Sequence, residues 1–148
     1  MDIRIGAYGV IVEGGRVLLS HWNEGGRQGW TMPGGGVEDD EHPVETARRE
    51  IREETGYEVE IGRLLGIDTF VIPAHERIAP SDRPVYAMRI VYRAQVVGGE
   101  LTHERDGSTD EARWVELTEV PGLDRVELVD IALRLDAETP LDGRLTRR

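Results

Sequence analysis

The sequence contains no cysteine, which excludes disulfides and cysteine-based zinc sites and leaves the redox compartment unreadable from sulfur. It has no uninterrupted apolar run approaching the ~20 residues a membrane-spanning helix needs. The opening stretch, MDIRIGAYGVIVEGG, lacks a basic region, a long apolar core and a small-residue cleavage site, so it does not read as a signal peptide. Basic residues are in deficit: 18 Lys and Arg stand against 29 Asp and Glu, a net charge of −11. That balance argues against broad binding to DNA or RNA, which depends on neutralising phosphates with basic side chains. It leaves room for a small phosphorylated ligand if a metal ion supplies the positive charge. The histidines, His21, His42, His75 and His103, are scattered singly, with no metal-ligand spacing. Internal repeats, linkers and low-complexity segments are also missing. The expectation is a soluble, cytoplasmic protein with neither a nucleic-acid polymer nor a membrane as partner. Its 148 residues fit one domain able to bury a core without staples.

What is present alternates β-type runs with two helical segments. Residues 3–12 read as a strand, 13–16 as a turn and 17–22 as a second strand, together a hairpin. Residues 23–28 read as a polar, glycine-rich loop that leads through Trp30-Thr31-Met32-Pro33 into a glycine turn. Residues 57–72 are β-rich and interrupted at Gly62 and Gly66, which predicts two strand segments. Three prolines mark 73–84 as a loop. Residues 85–97 form the longest strand candidate, 98–109 a second polar loop and 112–115 a short strand. Leu128, Ile131, Ala132 and Leu135 keep helical period, so an amphipathic helix runs to about residue 137, with a tail expected to be flexible after about residue 138. Two helices and several strands in mixed order imply an α/β or α+β sandwich with the sheet between the helices.

The densest stretch is 34–57, GGGVEDDEHPVETARREIREETGY. Pro43 suits the first turn of a helix, where no N–H bond is needed. Glu45 complements the helix dipole there, and Gly56 is placed to end the helix. Val44, Ala47 and Ile51 mark the buried face. Glu50, Glu53 and Glu54 span an arc of only about 100° beside it, while Arg48 and Arg52 point towards solvent. Carboxylates packed this closely on one helix repel one another. They are tolerated when well solvated, or when a divalent cation uses them, and oxygen-only ligands suit Mg²⁺ or Mn²⁺ rather than zinc. Periodicity alone leaves a solvated acidic helix and a metal site for a phosphate-containing substrate side by side.

The internal spacing separates them. Gly35, five residues, Glu41, seven residues, then Arg49-Glu50-Ile51-Arg52-Glu53-Glu54-Thr55-Gly56-Tyr57 resembles the Nudix box of the Nudix hydrolases. All seven fixed identities are present: Gly35, Glu41, Arg49, Glu50, Glu53, Glu54 and Gly56. At ordinary residue frequencies such a match has chance odds on the order of 10⁻⁷ or lower. Ile51 fits the bulky aliphatic slot, Tyr57 departs from it mildly, and Asp40 stands where many members carry glycine. Trp30-Thr31-Met32-Pro33-Gly34-Gly35 is similar to the family's lead-in and Glu111-Ala112-Arg113-Trp114-Val115 to its later strand.

The resemblance implies an α/β fold, the Nudix α/β/α sandwich with a mixed sheet. It also implies a Mg²⁺-dependent pyrophosphohydrolase, Mn²⁺ being a possible substitute. The substrate would be a nucleoside diphosphate linked to another group, such as ADP-ribose, or a nucleoside triphosphate. By the same resemblance Glu53 and Glu54 would be the principal metal ligands, with the Gly34 carbonyl and Glu50 as further ones. Glu50 serves as general base instead in some members. Arg49 would hold the carboxylates in place and Glu41 would be a structural contact. Other members place the base on a loop outside the box, which here makes Glu104, Asp110 and Glu111 candidates. For substrate contacts, Trp22 sits where a strand opens into the glycine-rich loop, and Arg27 in that loop is placed for a phosphate. The loops 73–84 and 98–109 are long enough to be lids. A homodimer is common in the resembling family. A different class of reading is a nucleotide-binding sensor that kept the fold and lost turnover, which the intact glutamate set argues against.

Overall fold

A computed structural model describes residues 1–102 and 109–146. The strands are β1 (Asp2–Val10), β2 (Val12–Glu13), β3 (Arg16–Glu24), β4 (Arg27–Thr31), β5 (Gly34–Gly36), β6 (Tyr57–Ile72), β7 (Val85–Gly99) and β8 (Thr109–Glu116). The helices are α1 (Pro43–Thr55) and α2 (Glu127–Glu138), with short 3₁₀ turns at Ala74–Glu76 and Leu117–Gly122. One sheet has the order β5-β1-β7-β6, and it is mixed: β1 and β7 run parallel and the other pairs antiparallel. A second sheet gathers β2, β4 and β8 around β3. No helix among the described residues is long and apolar enough to cross a membrane.

Alternation along the strands divides the core into two layers. Ala7, Ile11 and Leu18 point to one side, where Ala47 and Ile51 of α1 meet them with Val59, Tyr92 and Ala94. Val10, Leu19, Met32 and Val91 point to the other, against Leu128, Val129, Ala132 and Leu135 of α2. Strand layers therefore lie between α1 and α2, the sandwich that the element order predicts. Beyond the reach of α1, the same face of β1 and β6 leaves Ile3, Ile5, Ile67 and Val71 exposed.

Local chemistry fixes both ends of α1. The His42 ring nitrogen Nδ1 accepts a bond from the Val44 N–H at 3.0 Å, and the Glu45 carboxylate accepts from the His42 N–H at 3.1 Å. This capping box satisfies N–H groups that the helix cannot. Gly56, at φ 80°, closes the other end in the left-handed conformation. Asp40 also sits at positive φ, 63°, which accounts for glycine being the usual choice at this point of the motif. Tyr57, the first residue of β6, accepts a hydrogen bond on its hydroxyl from Trp114 Nε1 at 3.0 Å, so the departure from an aliphatic residue ties the start of β6 to β8.

Several boundaries differ from those the sequence predicts. Residues 23–28 are a hairpin and not a loop: Asn23 pairs with Gln28 and Glu24 with Arg27. Only Gly25 and Gly26, with φ of 58° and 78°, form the turn, as a tight two-residue connection requires. The segment 57–72 is one continuous strand, because Gly62 and Gly66 sit where the register slips against β7 and act as bulges, not breaks. β7 continues through Gly99 and β8 already begins at Thr109. After α2 the chain turns back onto the sheet: the Ile67 N–H donates to the Gly143 carbonyl at 2.8 Å, and Leu145 packs against the core.

Candidate active site

The site grows from a strand with no side chains. β5 is Gly34-Gly35-Gly36, paired to Tyr8, Ala7 and Gly6 of β1. A Cβ on Gly34 would lie 2.3 Å from the Ala7 carbonyl oxygen, and one on Gly35 would lie 2.6 Å from the carboxyl carbon of Glu50. Gly34 therefore excludes any larger residue, a side chain at Gly35 would displace the Glu50 carboxyl, and α1 can bring its carboxylates directly onto the backbone of β5.

Arg49 is the hub. Its Nε and Nη2 donate to the two oxygens of Glu41 at 2.6 and 3.0 Å, a fork-on-fork pair. Nη2 also reaches the Gly36 carbonyl at 3.2 Å, and Nη1 donates to Glu50 at 2.8 Å and Glu53 at 3.4 Å. One guanidinium thus ties the loop before α1, strand β5 and the helix carboxylates together. Glu41 further accepts from Thr46 Oγ1 at 2.8 Å and the Glu38 N–H at 3.0 Å. These donors, Arg49 foremost, hold its carboxyl down at about 2, and the surrounding carboxylates hold the Arg49 guanidinium firmly protonated.

Glu50 and Glu54 meet beside this hub. Glu54 is only 4% exposed and accepts a bond from the Gly34 N–H at 3.4 Å. Glu50 lies within hydrogen-bonding reach of Glu54, and burial pushes its carboxyl above the usual range despite Arg49 alongside. Two carboxyls in contact in a partly dry setting either share a proton or need a cation. Glu53 is different again: 48% of its side chain is exposed, and it stands at the margin beside Arg49. Among the described residues no three acidic or histidine side chains already converge into a cage. The donors at hand are nonetheless carboxylate and backbone oxygens beside an open cleft, and this set fits a hard cation such as Mg²⁺.

The cleft has a volume of about 440 Å³. Gly34, Glu50 and Glu54 line one side and Trp22 and Glu24 the other. Val126 and Leu128 at the start of α2 close a third side, fixed there because the Val126 N–H donates to the Trp30 carbonyl at 2.9 Å. The floor is the main sheet, where Arg4, Tyr8, Phe70, Ala87 and Arg89 face the space.

Of the residues singled out from the sequence, Gly34, Glu50, Glu54 and Trp22 therefore meet in one cleft, with Arg49 and Glu53 beside it. Arg27 does not join them, because it flanks the Gly25-Gly26 turn at the far end of its hairpin. Asp110 is held by His21 Nδ1 at 2.7 Å and Asn23 Nδ2 at 3.3 Å, with its carboxyl kept below the usual range by His21 first of all. Glu111 accepts from Arg113 at 2.8 Å. Neither lines the cleft, and Glu104 lies outside the described residues. Reasoning from the sequence passed over Arg4, Asp68 and Arg89. The signal was available in the parity of β1, where Arg4, Gly6 and Tyr8 share the face opposite Ile3, Ile5 and Ala7.

Comparison with known proteins supplies the family and the fold. The family description "NUDIX domain" matches residues 2–134, and the chain belongs to that family. Phosphatase NudJ of Escherichia coli is 30% identical over 106 residues, covering 72% of this chain and 63% of NudJ. The matched stretches cover 33%, 21% and 50% of three further curated relatives, so the chain corresponds to part of each of them. Among solved structures, a NUDIX hydrolase from Nitrosomonas europaea superposes with a TM-score of 0.77 at 21% identity, covering 99% of this chain and 98% of that one. A MutT NUDIX hydrolase from Burkholderia pseudomallei superposes with a TM-score of 0.76 at 26% identity, covering 91% and 98%.

Proposed function

We propose that this chain is a Mg²⁺-dependent pyrophosphohydrolase acting on a nucleoside diphosphate linked to another group, either a nucleotide sugar such as ADP-ribose or a nucleoside triphosphate. The observation that carries this reading is the contact between the half-buried Glu50 and the buried Glu54 carboxyls at the edge of a cleft floored by an arginine and an aromatic residue. Carboxylates so placed are costly on their own and become useful once a cation stands between them and a phosphate.

Glu53, Glu54 and the Gly34 carbonyl would hold the ion, with Glu50 standing beside them and Mn²⁺ as a substitute ion. When bound, Mg²⁺ neutralises phosphate oxygens and lowers the pKa of water. Arg49 keeps Glu50 and Glu53 oriented through Nη1 and anchors them to β5 through the Gly36 carbonyl. Among the described candidates for general base, Glu50 is the one facing the cleft, and we assign it that role at the attacking water. Trp22 supplies an aromatic wall for the base or sugar.

The test is turnover. With Mg²⁺, a panel of nucleoside triphosphates and nucleotide sugars should yield phosphate-containing products from at least one member, and EDTA should abolish the reaction. Glu53→Gln and Glu54→Gln should each lose about two to four orders of magnitude in kcat while retaining the wild-type circular dichroism spectrum. Wild-type rates in both variants would defeat the assignment.

A further inference from the structure

The floor of the cleft holds two arginines in different states. Arg89 is committed: its Nε and Nη2 both donate to the Asp68 carboxylate, and its guanidinium lies 4.4 Å over the Phe70 ring. Arg4 is exposed and, among the described residues, makes no hydrogen bond or ion pair. The sheet register explains its position. Arg4 pairs with Ala87 on β7 and Ala87 with Phe70 on β6, so the three form one row across the floor, with the smallest side chain in the middle. Residues directly opposite share a face, and two strand spacings separate Arg4 from Phe70 by roughly 10 Å.

Arg4 is also near the carboxylates. Tyr8, four residues further along β1, lines the cleft together with Arg4, Arg89, Glu50 and Glu54. Ala7, the residue paired with Gly35, lies three residues from Arg4, roughly 10 Å along the strand. Arg4 and Glu50 line the same cleft of about 440 Å³, so a phosphate chain bound there can meet both.

Charge counting then discriminates between substrates, given the hydrolase reading above, on which this inference rests. A nucleotide sugar carries about two negative charges on its diphosphate, which one divalent cation balances. A nucleoside triphosphate carries about four, and its last phosphate would face Glu50, Glu53 and Glu54 with nothing positive left to meet it. The sequence has no lysine, so any cation that meets it must be an arginine, and a guanidinium suits phosphate geometry. We propose that Arg4 receives the terminal phosphate of a nucleoside triphosphate, and that this contact makes the cleft prefer triphosphates to nucleotide sugars of the same base.

The experiment compares matched pairs, ATP with ADP-ribose, GTP with GDP-mannose and UTP with UDP-glucose, in Mg²⁺, on wild type, Arg4→Gln and Arg4→Lys. In the wild type the triphosphate of the favoured base should have the higher kcat/KM. Arg4→Gln should lower the triphosphate-to-sugar ratio roughly 10- to 100-fold, chiefly through KM, and Arg4→Lys should recover part of it. A ratio unchanged by Arg4→Gln, or a wild type preferring the sugar, overturns the proposal and leaves the hydrolase reading standing. Should no nucleotide turn over, that reading fails instead. Calorimetric binding of inorganic tripolyphosphate with Mg²⁺ still decides about Arg4: a roughly 10-fold weaker Kd in Arg4→Gln supports the contact, and equal affinities refute it.

Discussion

The two helices of the sandwich are nearly equal in length and are held in opposite ways. α2 has no side-chain cap at its start, where Val126 occupies the capping position, and it is fixed by burying Leu128, Val129, Ala132 and Leu135. α1 buries fewer large apolar side chains, chiefly Ile51 with Ala47, and gives inward positions to Thr46, Glu54 and Thr55. What it lacks in apolar contact it recovers in directed bonds: a capping box, a glycine stop and the Arg49 hub. A helix that must present carboxylates to a ligand cannot also be an oily wedge, so its position is set by polar contacts that a packed helix does without.

Replacing the hub should break this contrast most severely. In Arg49→Ala, Glu38, Glu41, Glu50 and Glu53 lose their shared cation, and we expect activity to fall by two or more orders of magnitude and stability by about 2–4 kcal/mol. Urea unfolding with and without Mg²⁺ tests the cause, since the ion should restore more stability to the variant than it adds to wild type. Equal Mg²⁺ effects on the two proteins would show that the guanidinium is not shielding the carboxylates.

Leu135→Ala is the counterpart on α2. It should cost about 2–4 kcal/mol in the same assay while kcat stays within about threefold of wild type. A collapse of kcat in a still-folded variant would contradict the separation of chemistry from this packing layer.

A pH series sharpens the contrast further. The carboxyl of Glu41 is lowered from 4.5 to about 2 in the folded chain, so its contribution to stability is present above its unfolded value and lost as pH falls towards 2. In EDTA, the melting-temperature gap between wild type and Glu41→Gln should therefore be widest above about pH 5 and should narrow across that window. A gap independent of pH would remove ionisation from the explanation. The smallest effect belongs to the cap: His42→Ala should cost about 1 kcal/mol, seen as a modest drop in melting temperature, and no drop would mean that Pro43 alone sets the helix start.

These differences also explain what could be read from the chain before folding. α1 was legible to within a residue because its signals are local: Pro43 at the start, Gly56 at the end and three glutamates at helical spacing between them. The hairpin at 23–28 was misread as a loop because the polar residues flanking Gly25-Gly26 carry no apolar alternation, although their backbones pair in register. β6 was split in two because Gly62 and Gly66 punctuate sequence and strand alike, and only pairing with β7 shows that the strand runs on. The candidate site divides along the same line. The carboxylates come from one short segment, whereas the floor unites Arg4, Ala87 and Phe70 from three strands, and such neighbours exist only after the sheet forms. Arg27 lies away from the cleft lining, and the direction of a hairpin cannot be read from its turn.

The parallel pairing of β1 with β7 has a consequence in time. Asp2 finds its partner Val85 only after about 80 further residues have been made, a delay of roughly 4–16 s at ordinary rates of synthesis. Through that interval β1, with Ile3 and Ile5 on one face, has only the short β5 to pair with, and its β7 edge stays open. The centre of the finished sheet is thus the part most exposed to mispairing while the protein is being born, and the rate at which β7 emerges sets how long that hazard lasts.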